Sequence, residues 1–193
     1  MAVCRTIAIV LSELDVLEEV SARLDRAGIG YMLTGSMAMN YYARPRMTRD
    51  IDMVVAVEPP DAHRLTAQFD RDFYVPYEAV RLAVRERGMF NLLHLESAVK
   101  VDFVVCKDEP YRHNEFARRL RVELPGFSTW IVSKEDLILS KLVWAKDTRS
   151  EMQMRDVRNL LSTGVDLSYL LRWALDLGVG ELLEECLHER HEP

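Results

Sequence analysis

Two aspartates separated by one residue carry the clearest chemical signal in the sequence. Asp50 and Asp52 lie in residues 50–55, where acidic and apolar residues alternate as in a strand. Side chains of a strand alternate between its faces, so both carboxylates share one face, and Ile51 and Met53 share the other. Adjacent carboxylates repel each other unless a cation neutralises them, and hard divalent cations prefer carboxylate oxygens. This spacing therefore predicts a metal site.

A third carboxylate follows much later in the chain. Asp102 lies within residues 99–105, an apolar and β-branched stretch that predicts a buried strand. An ionised carboxylate is costly there unless it is paired or coordinated. If this strand lies beside the strand that carries Asp50 and Asp52, the three carboxylates converge on one site.

A turn upstream of these aspartates has the composition of a phosphate-binding bend. The apolar residues 31–33 predict a strand that breaks at Gly35 and Ser36, and a short helix is predicted over 36–43. The N-terminus of a helix offers free N–H groups and a positive dipole end, which suit a phosphate. Thirteen residues separate Ser36 from Asp50. Two metal ions facing this turn could bind a nucleotide triphosphate and activate an attacking oxygen.

Together these motifs resemble the signature of the nucleotidyltransferase superfamily, to which DNA polymerase beta belongs. That signature is an apolar residue and Gly-Ser, then Asp-apolar-Asp, and later an Asp between apolar residues. Residues 35–36, residues 50–52 and Asp102 match it in turn, while Thr34 replaces the first apolar residue. The resemblance covers roughly residues 12–162, and three motifs with constrained spacing are more specific than a lone Asp-x-Asp.

The residues just before Asp50 indicate which branch of the superfamily the sequence resembles. Residues 46–49, Arg-Met-Thr-Arg, look like those of the small bacterial branch that includes the abortive-infection-type toxin nucleotidyltransferases. Arg46 lies near both the Gly-Ser turn and Asp50. Phosphate contact and a solvated charged surface both remain open for this group of arginines, and we include Arg46 among the predicted nucleotide-binding residues.

Lys141 interrupts an apolar helical stripe that includes Leu137, Ile138 and Ala145. A lysine on a buried face can bind a triphosphate as a point charge, whereas one at the edge of the stripe extends its ammonium to solvent. Spacing alone leaves these alternatives open. Small nucleotidyltransferases that resemble this chain often carry a lysine on the first helix after the catalytic core, and this favours nucleotide binding for Lys141.

Arg155 and Asp156 follow on the next predicted helix. In the abortive-infection-like relatives a basic residue and Asp are followed three residues later by a second acid, and here Asn159 takes that place. Because of this departure, we interpret Asp156 as half of a structural ion pair between Arg and Asp that joins two helices.

The resemblance implies an activity and a cofactor as well as a fold. It implies metal-dependent transfer of a nucleoside monophosphate from a nucleoside triphosphate to a hydroxyl or phosphate acceptor, with Asp50, Asp52 and Asp102 as catalytic metal ligands. Two Mg²⁺ ions per site are expected, with Mn²⁺ as an alternative. Gly35 and Ser36 would hold the β- and γ-phosphates. The acceptor stays open between transfer RNA, a protein side chain and a small molecule, and the toxin-like branch adds a possible cognate antitoxin as partner.

Periodicity and turn residues predict an α/β (α+β) architecture with a small mixed sheet. Helices are predicted over 12–26 and 76–87, and strands 89–95 and 99–105 form a hairpin. From Ser133 onward the pattern is entirely helical, with capping signals at Ser133 and Ser150. We therefore expect a nucleotidyltransferase core over residues 1–132 and a C-terminal helical part over 133–193 that closes the cleft.

The composition is that of an ordinary folded domain. Of the 193 residues, 49% are apolar and 29% charged, and no apolar stretch approaches the length of a membrane span. The net charge of −6 disfavours indiscriminate binding of nucleic acid. Three distant cysteines (Cys4, Cys106 and Cys186) make a disulfide framework improbable and fit a reducing cytoplasm, and the first residues do not resemble a secretory signal.

Two other functions compete with the enzyme. The same scaffold could act as a non-catalytic module that binds a nucleotide or a partner, a fate usually marked by loss of one of the acids, and all three are present. A structural calcium site at the Asp pair would leave the Gly-Ser turn without a role.

Overall fold

Seven strands form one mixed sheet in the computed structural model, which describes residues 12–148 and 150–188. The strands are β1 Gly30–Thr34, β2 Asp50–Ala56, β3 Phe73–Tyr74, β4 Met89–His94, β5 Lys100–Val105, β6 Leu120–Leu124 and β7 Phe127–Ile131. Their spatial order is β3-β4-β5-β2-β1-β7-β6. The start of the chain, with Cys4, lies outside the described residues, and Cys106 is a free thiol.

Helices pack on both faces of this sheet. They are α1 Glu13–Ala27, α2 Gly35–Tyr42, α3 Ala62–Thr66 after a 3-10 turn Pro59–Asp61, α4 Tyr77–Glu86, α5 Pro110–Ala117, α6 Lys134–Thr148, α7 Glu151–Leu161, α8 Leu167–Asp176 and α9 Gly180–His188. Every described element after β7 is a helix. The architecture is thus the predicted α/β core followed by helices, while the division into two domains at residue 133 stays a prediction.

Local sequence explains where several helices begin. Ser12 and Asp15 form a complete capping box on α1, because each side chain hydrogen bonds the backbone N–H of the other residue. Ser133 caps α6 by accepting from the N–H of Asp136 at 3.2 Å, and its hydroxyl donates to Oδ2 of Asp136 at 2.6 Å. Ser150 lies at the N-cap of α7 as predicted, but its capping box with Gln153 is wrong, because the Ser150 side chain makes no capping hydrogen bond and the Gln153 side chain accepts from Lys141.

The order of the central strands follows the prediction from the hairpin. β5 pairs antiparallel with β4 on one side and parallel with β2 on the other. β2 in turn pairs antiparallel with β1. Since β1 leads directly into α2, the strand that carries Asp102, the strand that carries the Asp pair and the Gly-Ser bend lie side by side.

One face of the sheet forms the main hydrophobic core. Ile51, Met53 and Val55 of β2 are fully buried there, and Phe103 of β5 stacks against Phe90 of β4 with ring centroids 5.0 Å apart. Helix α1 contacts β1, β2 and β7 on this side. On the other side α2 contacts β2 and packs against α6 and α7. The acidic face of β2 therefore borders the C-terminal helices.

Two elements were not predicted from the sequence. Strand β3 has only two residues and pairs only with β4, so it has too few residues to show an alternation. Helix α5 begins with Pro110 and buries only Tyr111 and Glu115, one turn apart, so its apolar signal is weak.

None of the helices in the described part of the chain combines the length and apolar character that a membrane-spanning helix needs.

Candidate active site

Asp52 and Asp102 are direct neighbours across two parallel strands. The register of β2 and β5 pairs Asp52 with Asp102 and Asp50 with Lys100. Paired residues of adjacent strands point to the same face, and residues two apart on a strand share that face. All three predicted acids therefore lie on one face of the sheet, with Asp50 exposed and the other two half-buried.

The chain bends against Asp52 at Gly35. Thr34 is paired with Asp52 across β1 and β2, and Gly35 then turns into α2 with a φ of +62°. A Cβ atom at this position would lie 2.0 Å from Oδ2 of Asp52. Both the positive φ and the close approach require glycine. The bend thus brings the N-terminus of α2 against the acidic face of β2.

Burial and neighbouring charge act together on Asp52. Burial, followed by the carboxylates of Asp102 and Asp50, raises the pKa of Asp52 to about 6. The backbone N–H of Ser36 and the ammonium of Lys141 act in the opposite direction on this pKa, and they do not outweigh the first effects. Burial and the neighbouring carboxylates therefore both favour the neutral form of Asp52.

The Gly-Ser turn is tied to the loop between α2 and β2. Nη2 of Arg46 donates to Oγ of Ser36 at 2.6 Å. The side chain of Asn40 holds the loop in place, because it accepts from the N–H of Arg46 at 2.9 Å and donates to the carbonyl of Arg46 at 2.8 Å. The guanidinium of Arg46 is thus fixed directly at the start of α2.

Asp156 of α7 joins two of the predicted nucleotide-binding residues. Its carboxylate accepts from Nε of Arg46 at 3.1 Å and from Nη2 at 3.0 Å, and from Nζ of Lys141 at 2.8 Å. Burial would raise the pKa of Asp156, but the hydrogen bonds from Arg46 and Lys141 outweigh it and lower that pKa. Lys141 is only 4% exposed and also donates to the side chain of Gln153. The lysine is therefore buried, not extended to solvent.

Lys100 is a cation of the site that sequence reasoning missed. Its Nζ lies 2.8 Å from Oδ2 of Asp102 and 3.8 Å from Oδ2 of Asp50. The hydrogen bond to Asp102 is the first cause of a raised pKa of Lys100, and the charges of all three acids add to it. The available signal was its position two residues before Asp102 on the same strand, which puts both side chains on one face.

The residues fit a divalent metal ion in their chemistry but not in their present spacing. All three acids offer oxygen ligands, and burial followed by the charges of Asp102 and Asp50 raises the pKa of Asp52, so a cation at this place would stabilise its ionised form. In residues 12–148 and 150–188, however, no three acidic, histidine or cysteine side chains lie close enough together to hold an ion. Lys100 occupies the space between Asp50 and Asp102.

The structure brings all seven predicted site residues into one connected region. Asp50, Asp52 and Asp102 share a face, and Gly35 touches Asp52. Ser36, Arg46 and Lys141 are linked through hydrogen bonds that meet at Arg46 and Asp156. Asp156 does form the expected ion pair with an arginine, but the arginine is Arg46, which lies 110 residues earlier in the sequence.

Asn159, which stands where the relatives have a second acid, makes a structural contact. Nδ2 of Asn159 donates to the carbonyl of Arg44 at 3.0 Å. The residue therefore holds the loop that carries Arg46 and does not add a fourth carboxylate to the site.

A large open cavity of about 860 Å³ borders the same loop. Leu33, Met37 and Arg46 are among its lining residues, and none of the three acids is. Leu33 points away from Asp52, since it neighbours Thr34 on β1. The cavity therefore borders the acidic site through the loop that carries Arg46 and Arg49.

Comparison with known proteins identifies one matching family. The family model described as nucleotidyl transferase AbiEii toxin, type IV TA system, matches residues 21–191. This stretch includes β1 to β7 and every residue of the candidate site. No curated protein matches the sequence.

Solved structures of similar fold include proteins named as nucleotidyltransferase-like or as an adenylyltransferase. An antigenic nucleotidyltransferase-like protein from Paracoccidioides brasiliensis has a TM-score of 0.57 at 18% identity, over 89% of this chain and 92% of that one. The lincosamide antibiotic adenylyltransferase LnuA, bound to lincomycin, has a TM-score of 0.54 at 13% identity, over 80% and 99%. The antibiotic-resistance factor ANT(2″)-Ia has a TM-score of 0.54 at 17% identity, over 90% and 96%. At such identities these likenesses show the fold alone.

Proposed function

The chain belongs to the nucleotidyl transferase AbiEii toxin family of type IV toxin–antitoxin systems, and we propose that it transfers a nucleoside monophosphate from a nucleoside triphosphate to a hydroxyl or phosphate acceptor. The acceptor oxygen attacks the α-phosphorus, the bond to the bridging oxygen of the leaving group breaks, and pyrophosphate is released. The pairing of Asp52 with Asp102 beside the Gly35 bend is the observation that carries this proposal.

Three groups of this chain would hold the triphosphate. Backbone N–H groups in the first turn of α2 and the hydroxyl of Ser36 would donate hydrogen bonds to oxygens of the β- and γ-phosphates. Arg46 and Lys141 add two positive charges at this end of the site, and Asp156 fixes both of their head groups. Positioning and charge stabilisation then supply most of the rate enhancement, as in other phosphoryl-type transfers.

The acids would hold the metal and the acceptor end. Asp50, Asp52 and Asp102 would bind Mg²⁺, two ions per site, or Mn²⁺ in its place. When bound, the metal neutralises the phosphate oxygens and lowers the pKa of the attacking group. Asp102 lies on the far side of Asp52 from the Gly35 bend, since β5 and β1 flank β2 on opposite sides. We therefore assign Asp102 to the acceptor oxygen, whose proton it helps to remove.

The acceptor of the nucleotide and the antitoxin partner also belong to what we propose. Transfer RNA, a protein side chain and a small molecule each offer a hydroxyl or phosphate, and the family name favours a toxin with a cognate antitoxin. We expect the enzyme to act in the cytoplasm, in line with the free thiol of Cys106.

The test is transfer of label from α-³²P nucleoside triphosphates in the presence of Mg²⁺ and total cell extract. We expect label to enter one class of acceptor with the wild-type protein, and incorporation to fall at least about 100-fold in Asp52→Asn and Asp102→Asn, as for loss of a main electrostatic group. Asp108→Asn is the matched control, because this acid is exposed and pairs with His113 away from the site. Equal labelling by all four proteins, or none with wild type, overturns the proposal.

A second experiment addresses the toxin role. Induced expression of the wild-type protein is expected to arrest bacterial growth, and expression of Asp52→Asn at the same level is not. Arrest by both proteins would contradict a toxic activity that depends on this site.

A further inference from the structure

Lys100 stands at the point where the acidic face begins. It is the first residue of β5, it is paired in register with Asp50, and it lies two residues before Asp102. Its ammonium contacts the carboxylates of both neighbours, at 2.8 Å to Asp102 and 3.8 Å to Asp50. A single cation thus bridges two of the three acids that the proposed function assigns to the metal.

The other cations near the site are engaged elsewhere. Arg46 and Lys141 both direct their charges at Asp156. Among the ion pairs of residues 12–148 and 150–188, Asp50 and Asp102 are paired only with Lys100. Loss of the Lys100 charge therefore leaves these carboxylates without a direct counter-ion.

Lys100 is also free to leave. Its side chain is 41% exposed, so its ammonium can turn into solvent without burial of a charge. Asp50 and Asp102 are both partly exposed, and water weakens their attraction to Lys100. A divalent ion can therefore compete with these ion pairs.

From this geometry we propose that Lys100 is an internal competitor of the divalent metal, which binds Asp50 and Asp102 only after the ammonium has moved away. The proposal rests on the metal site of the proposed function. Its consequence is that the protein alone binds divalent ions weakly, and that metal and nucleotide enter the site together. The triphosphate adds negative charge that attracts the metal and gives the displaced ammonium a new partner.

The test is binding of Mn²⁺ to the protein without nucleotide, measured by titration calorimetry and by electron paramagnetic resonance of free Mn²⁺. Lys100→Met removes the competitor, and Lys100→Arg keeps a positive charge at the same place. Arg49→Met is the matched control, because Arg49 is exposed, adjacent to Asp50 in the chain, and in none of the ion pairs found in the described residues. It lowers the nearby positive charge by the same amount without opening the contact.

We expect Lys100→Met to bind Mn²⁺ at least about tenfold more tightly than wild type, equivalent to about 1.4 kcal/mol. Lys100→Arg should stay within about threefold of wild type, and Arg49→Met should gain less than about threefold, because its charge acts only at a distance. The same ion should raise the thermal midpoint of Lys100→Met more than that of wild type. The melting transition without metal checks that each variant is folded.

Equal Mn²⁺ affinity in wild type and Lys100→Met, weaker affinity in Lys100→Met, or an equal gain in Arg49→Met overturns the proposal. Absence of Mn²⁺ binding in Lys100→Met also overturns it. Failure of the proposed function is recognised separately, by the labelling experiment with the acid variants. An active enzyme with unchanged Mn²⁺ affinity would refute only the role of Lys100.

Discussion

Asp52 combines constraints that few surface carboxylates meet. It is paired with Asp102 on one side and with Thr34 on the other, and Gly35 leaves just enough space for its Oδ2 atom. Its raised pKa shows that the folded protein favours the neutral acid, while the proposed chemistry needs the carboxylate. Site function and stability therefore oppose each other at this residue.

The pH dependence of stability follows from this pKa. The pKa of Asp52 is about 6 in the folded protein against an ordinary 3.8, so the folded state binds the proton more tightly than the unfolded state. The ionised side chain therefore lowers stability above pH 6, and the penalty disappears as the pH falls from about 6 to 4. Without divalent ions, Asp52→Asn should be more stable than wild type at pH 7.5 by roughly 1–3 kcal/mol.

Urea denaturation at pH 7.5 and at pH 4.5 measures this difference. The gain of Asp52→Asn over wild type should shrink at the lower pH, and Asp108→Asn should show no such change because that acid is exposed. A gain that is the same at both pH values would mean that Asp52 is not the group responsible.

Gly35 gives a second prediction at the scale of one residue. Gly28 has nearly the same backbone angle, with φ +63° against +62°, but a Cβ there meets nothing within 4 Å. The free energy of unfolding of Gly28→Ala should therefore fall only by the cost of the left-handed conformation, about 1–2 kcal/mol. That of Gly35→Ala should fall by at least about 1 kcal/mol more, because the methyl group displaces Asp52. Equal losses in urea denaturation would show that the contact with Asp52 relaxes freely.

At the scale of elements, Asp156 makes α7 part of the proposed active site. It receives hydrogen bonds from Lys141 of α6 and from Arg46 of the loop before β2. The loop has additional support from Asn40 of α2 and Asn159 of α7. Helices α2, α6 and α7 thus form one frame around the proposed triphosphate site.

Asp156→Asn tests this frame. The amide removes the negative charge that Arg46 and Lys141 share, so the free energy of unfolding should fall by about 1–3 kcal/mol. The affinity for nucleoside triphosphates should fall about tenfold or more, since both cations lose their fixed positions. Titration calorimetry and urea denaturation measure the two effects.

Arg155→Gln is the control for this variant. Arg155 is the adjacent, exposed residue of α7, so its replacement changes the charge by one without touching the contact. It should remain within about 0.5 kcal/mol of wild type, as most surface substitutions do. Equal effects of both variants would contradict the assignment of Arg46 as the partner of Asp156.

At the scale of the whole molecule, the helical part and the sheet share buried surface. Leu137, Ile138, Leu139 and Leu142 of α6 are at most 1% exposed although they point in several directions around the helix. Asp136 at its start is fully buried and hydrogen bonds Arg118 and Tyr169. Residues 136–142 of α6 are buried all around the helix, so this segment cannot lose its neighbours without exposing a large apolar surface.

We therefore expect a single cooperative unfolding transition. Helical circular dichroism and tryptophan fluorescence should give the same urea midpoint, because both probes report the same event. A fragment of residues 1–132 should not fold on its own. Two separate transitions would instead support the division at residue 133 as a boundary between independent domains.

The sequence alone predicted the features of the site that depend on local backbone geometry. Alternation over 50–55 placed Asp50 and Asp52 on one face, and the turn composition located the bend at Gly35, because these features depend on local backbone geometry. Strand β3 and helix α5 were not predicted, because short elements with few buried residues show little hydrophobic periodicity. The capping box predicted for Ser150 and Gln153 is wrong, because the Gln153 side chain has a tertiary partner in Lys141.

By itself the sequence determined the residue types of the site, their faces on each strand and the likeness to a family of nucleotidyl transferases. Only the tertiary structure decided that Asp52 and Asp102 share one register, that Arg46 and Lys141 meet at Asp156, and that Lys100 lies between two acids. The physical reason is that side-chain direction follows from local dihedral angles. Contacts between distant segments follow from the packing of whole elements, in which each side chain competes for every available partner.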